Sequence, residues 1–146
     1  MNLQPIPNYT IYSQLRSRLD KKAFKGNGTQ RQWIAVLDAL SKAPAEDVSK
    51  IGCISVFNYH RVNKWHGVYD GCNTLGFAEH YDGTTIARLR AMGSDAIGAI
   101  TIAGKIADIE FVTLHELGHI ILGPGSSEAD ADNYARSILN RAEVYN

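Results

Sequence analysis

The stretch E-F-V-T-L-H-E-L-G-H-I-I-L, Glu110 to Leu122, decides how the rest of the chain is read. Its apolar residues, with Ile106 and Ile109 just upstream and Val112, Ile120 and Ile121 within it, mark a buried helix. Residues four apart share one helix face, so His115 and His119 direct two imidazoles to the same side, with Glu116 beside them. Burying two histidines and a glutamate is costly unless something compensates them. A divalent cation does so. Zinc accepts two neutral imidazoles and, in catalytic sites, a third protein ligand, leaving one position open for water. A carboxylate next to that water can take its proton, which is the role the spacing gives Glu116.

Downstream, Gly123-Pro124-Gly125 stops the helix, because Gly suits a C-cap and Pro cannot continue the turn. Ser126 or Ser127 then caps a last helix. With Ser127 as the cap, Asp130 completes a variant capping box, and Ala131, Tyr134, Ala135, Ile138 and Leu139 form the apolar face. A helical hairpin returns the start of this helix to His115 and His119. Glu128 and Asp132 lie four apart on one face, so Glu128 can ligate the metal while Asp132 accepts a hydrogen bond from a ligand imidazole. Asp130 suits the cap and stands as the runner-up ligand. The bland alternative is that all three acids simply favour the positive end of the helix.

Upstream, Ile97 to Ala103 reads as a strand or buried connector delivering the chain to the histidine helix. Ile51 to Tyr59, Trp65 to Tyr69 and Thr74 to Tyr81 are further candidate strands, rich in β-branched and aromatic residues. Asp82-Gly83 reads as a hairpin turn, with Thr84 to Leu89 completing the hairpin. The expectation is a small, mainly antiparallel sheet. Before it come two amphipathic helices: Tyr9 to Phe24, with its stripe of Ile11, Tyr12, Leu15, Leu19 and Ala23, and Thr29 to Lys42, N-capped by Thr29 and burying Trp33, Val36, Leu37 and Leu40. The fold class expected is therefore α+β, as one domain over residues 1–146.

H-E-L-G-H, followed by Glu128-Ala129-Asp130-Ala131-Asp132-Asn133-Tyr134-Ala135, resembles the gluzincin metallopeptidases, whose glutamate helix often reads E-x-x-A-D/N-x-F/Y-A. Among them the short chain is similar to the minigluzincins, and F-V-T-L-H-E-L-G-H is similar to the ImmA/IrrE-type peptidases. The likeness covers about the last forty residues. It implies a zincin-like fold with one zinc held by His115, His119 and Glu128, Glu116 as general base and Asp132 orienting a ligand. Leu122 and Gly125 stand where a metzincin would have its glycine and third histidine, which argues against that group.

Composition narrows the partners. Fifteen basic and fifteen acidic residues cancel, so no global field draws the chain to nucleic acid or an anionic membrane. The basic run from Arg16 to Lys25 reads as a solvated helix face. The N-terminus lacks the charged start and apolar core of a signal peptide, and no run of eighteen apolar residues occurs, so a cytoplasmic location is expected. Cys53 and Cys72 are too few for a disulfide scaffold and are expected as reduced core thiols. His80, Tyr81 and Tyr134 qualify by type as oxyanion donors, but packing roles are the expectation for them, as for His60 and His66. The leading function is a zinc-dependent endopeptidase acting on a peptide or protein substrate. The alternatives are a zinc-containing interaction or regulatory module with little turnover, and an enzyme of non-peptide amides or esters.

Overall fold

The computed structural model describes residues 23–58 and 74–145, with side chains to residue 140 in the last helix. Strand β1, Ala23–Lys25, leads to helix α1, Gln30–Ser41, and the short helix α2, Ala45–Val48. Strands β2, Ile51–Phe57, and β3, Leu75–His80, precede helix α3, Gly83–Ala91. Strand β4, Gly98–Ala103, feeds helix α4, Ile106–Leu122, and helix α5, Glu128–Tyr145, follows. The architecture is α+β.

The local chemistry of α1 is as expected. Thr29 accepts a hydrogen bond from the Gln32 amide while the Gln32 side chain accepts one from Thr29, closing a capping box. Trp33, Val36, Leu37 and Leu40 are all buried. Phe24 of β1 meets Trp33 edge-on, with ring centroids 5.4 Å apart. Ala23 and Phe24 are thus strand residues rather than the end of a helix. The remainder of the expected first helix, the Trp65–Tyr69 strand, His60, His66 and Cys72 lie outside the described residues. Cys53 is half-buried on β2.

Two expectations for the sheet need correction. Its order is β1-β2-β4-β3, and it is mixed rather than mainly antiparallel: β1 pairs with β2 and β2 with β4 in parallel, and only β3 and β4 run antiparallel. The segment from Thr84 to Leu89 is helix α3, not a strand. Asp82 accepts a hydrogen bond from the Thr85 amide at 2.7 Å and caps the helix, so an Asp-Gly pair that suits a hairpin turn starts a helix here. Arg88 and Arg90 in its last turn complement the helix dipole.

Helix α4 lies on the sheet and packs against β3, β4, α1 and α5. Ile54, Val56, Ile100 and Ile102 from the sheet and Ile109, Leu114, Leu117 and Ile120 from the helix are fully buried together. Each such side chain contributes roughly 1.5–3 kcal/mol on leaving water, so the helix is firmly seated. Both its ends are pinned. The Thr74 hydroxyl accepts from the Lys105 amide at 3.0 Å, and the buried Gln32 amide donates to the Gly104 carbonyl at 2.8 Å. At the other end Gly123 takes φ +103°, a left-handed conformation that a side chain would strain. None of the described helices is long and apolar enough to cross a membrane.

Candidate metal centre

The site sits where α4 meets the start of α5. Ser127 caps α5 as expected: its hydroxyl accepts from the Asp130 amide at 3.0 Å, and Asp130 accepts from the Ser127 amide at 3.3 Å. Asp130 is occupied at the cap and stays outside the cluster. One position beyond Ser127, the start of the helix presents Glu128 to the two histidines. The Nε2 atoms of His115 and His119 lie 2.9 and 3.0 Å from the two oxygens of Glu128. The imidazoles are almost enclosed, 12% and 13% exposed, whereas Glu128 is 81% exposed and closes the cluster from the solvent side.

His115, His119 and Glu128 form a group that can hold a metal ion, with one donor atom from each lying within 4.8 Å of the others. Donors around a tetrahedral ion at 2.0–2.1 Å stand about 3.3 Å apart, close to the two histidine–glutamate separations. The charges point the same way. Two carboxylates, Glu128 and Asp132, lie directly against the two imidazoles, negative charge that a divalent cation offsets. These residues fit such an ion.

Behind the donors, His115 Nδ1 donates to Asp132 at 2.7 Å, which leaves Nε2 directed at the cluster. His119 Nδ1 lies 2.9 Å from the Ser126 hydroxyl. Sequence reasoning had considered Ser126 only as a helix cap and missed this contact.

Glu116 is buried, 6% exposed, with a carboxylate oxygen 3.9 Å from His115 Nε2. Burial pushes its pKa up to about 7. The charge of His115 acts in the opposite direction, and the negative Glu128 adds to the rise. Gly76 of β3 gives the side chain room: a Cβ at that position would stand 2.6 Å from both Cγ and Oε2 of Glu116. Gly76 was also missed, although a glycine within a strand pattern signals close approach of a neighbour.

The other residues considered for the site are held elsewhere. His80 donates from Nε2 to the His119 carbonyl at 2.8 Å, fastening β3 to α4. Tyr81 lies against Gly52, and burial, followed by Cys53 and Glu79, raises its phenol pKa. Tyr134 donates to Asp47 at 2.6 Å and packs over Gly118, joining α5 to α2 and α4.

The fold and the cluster together define an α+β protein with a metal-competent group between its last two helices. No protein-family model, curated protein or solved structure matches the chain. The likeness to gluzincins therefore rests on the motif residues.

Proposed function

We propose that the protein is a zinc-dependent endopeptidase, with zinc held by His115, His119 and Glu128 and Glu116 as general base. The observation that carries this reading is the buried Glu116 carboxylate, which lies beside the three donors without being one of them. A purely structural zinc site has no use for such a group and usually fills all four positions with protein ligands.

Zinc at this cluster would supply a Lewis acid that polarises a carbonyl and lowers the pKa of water to about 7. The chain's own residues do the rest. Glu116 accepts the proton of the attacking water and returns it to the departing amine. Its enclosure between α4 and Gly76 keeps bulk water from competing for that proton. Asp132 holds the His115 ring in orientation. Strand β3 ends the sheet among the described residues, and its outer edge offers backbone groups to an extended substrate beside Glu116.

The test compares the wild type with Glu116→Gln. The substitution keeps the size of the side chain but removes the proton acceptor, so zinc should stay bound while cleavage falls by about 10²- to 10⁴-fold. Both proteins are incubated with a cell extract, and new peptide termini are compared by mass spectrometry. Equal cleavage by the two zinc-loaded proteins sinks the role of Glu116. Absence of cleavage by either favours a zinc-containing interaction module.

A further inference from the structure

The geometry points to Ser126 as a positioning residue that orients the second histidine and at the same time sets the turn that brings Glu128 to the metal. This rests on the metal-site reading above. The Ser126 hydroxyl has one proton, and it goes to the Gly123 carbonyl at 2.8 Å. With that proton engaged, the oxygen can only accept from His119 Nδ1, 2.9 Å away. Nδ1 therefore carries the hydrogen and Nε2 presents its lone pair to the cluster, the form a metal ligand requires.

The same side chain closes the link between the helices. Ser126 donates its amide to the Gly123 carbonyl at 3.1 Å, so amide and hydroxyl together fold the chain back at the end of α4. Two positions further on stands Glu128, with its oxygens against both imidazoles. A link this short has little slack with which to correct a misplaced glutamate. Ser126 consequently couples the His119 ring to the placement of Glu128, whereas Asp132 holds His115 alone. The two histidines are fixed by different chemistry: a carboxylate on the first, a hydroxyl anchored to a helix carbonyl on the second.

The experiment measures zinc affinity by chelator competition in the full chain for Ser126→Ala, Ser126→Thr, Ser127→Ala and Glu128→Ala, and follows the His119 Nδ1 proton of the zinc-loaded proteins by NMR. Ser126→Ala should bind zinc about 10- to 100-fold more weakly, the usual effect of losing a group behind a ligand, and its Nδ1 proton should exchange faster with solvent. Ser126→Thr, which keeps the hydroxyl, should retain wild-type affinity and a protected proton. Ser127→Ala removes a helix cap without touching the ring and should leave both unchanged. If Ser126→Ala does not fold, the threonine variant carries the test: a folded Ser126→Thr that has lost zinc affinity overturns the proposal. So does a Ser126→Ala protein that matches the wild type while Glu128→Ala loses zinc, or an equal loss in Ser126→Ala and Ser127→Ala. Wild-type affinity in Glu128→Ala, or no uptake by the wild type, overturns the metal-site reading and this proposal together.

Discussion

Glu116→Gln should make the metal-free protein more stable at neutral pH than the wild type, by an amount that disappears in acid. The ordinary pKa of the carboxyl is 4.5, and in the fold it rises to about 7 because burial disfavours the charged form. Below the lower value both folded and unfolded chains hold the proton, so ionisation costs nothing. Between the two values the unfolded chain releases its proton and the folded chain keeps it. Stability is thus fully present below the unfolded pKa and is lost as pH rises through the folded one. Each pH unit in that window removes about 1.4 kcal/mol, and the whole window removes about 3 kcal/mol. Glutamine has no proton to release and escapes this loss, while its own cost of burial is the same at every pH. Urea denaturation of chelator-treated wild type and variant, at about pH 4.5 and about pH 8, measures the difference. A difference that stays constant between the two pH values, within about 0.5 kcal/mol, would refute the claim that Glu116 is desolvated in the fold.

Three further outcomes follow from the site. Glu128→Ala should lose zinc in metal analysis, whereas Asp130→Ala should keep it and lose only the roughly 0.5–2 kcal/mol of a helix cap; the reverse pattern would exchange their roles. Asp132→Ala should weaken zinc binding by about 10- to 100-fold in a chelator titration, and an unchanged affinity would separate it from His115. Gly76→Ala places a methyl 2.6 Å from the Glu116 carboxylate, so zinc should remain while cleavage drops on the order of 10²-fold; full activity would show that the base tolerates displacement.

What could be read from the sequence was what depends on near neighbours. The N-cap at Thr29 and the apolar stripe of α1 belong to one helix, and the spacing of His115 and His119 and the four-residue step from Glu128 to Asp132 are likewise local. The strands β2, β3 and β4 showed as β-branched and apolar runs close to their observed bounds. Their arrangement did not show, because the parallel pairing that sets Ser55 opposite Thr101 is decided by helix packing far away in sequence. Asp82-Gly83 was ambiguous for a physical reason: the same short acid and flexible glycine suit a hairpin turn and a helix N-cap alike. Ala23 and Phe24 continue an apolar stripe, yet are drawn into the sheet by pairing with Cys53 and Ile54. In the site, the donor residues carried a periodic signature. Gly76 and Ser126 did not, since each matters only through a neighbour that the fold brings against it.

The short link between α4 and α5 also bears on how the site assembles. His115 and Glu128 are only thirteen positions apart, so the donor set is complete once a single small loop has closed. Loop-closure entropy grows with the logarithm of loop length, each doubling costing about 0.6 kcal/mol, so this contact is inexpensive to close. Strand pairings such as Ser55 with Thr101 must close far larger loops. The helical hairpin is thereby a low-contact-order unit, able to gather its three donors before the sheet has found its register. A cation bound there during folding would staple the last two helices together on the nascent chain.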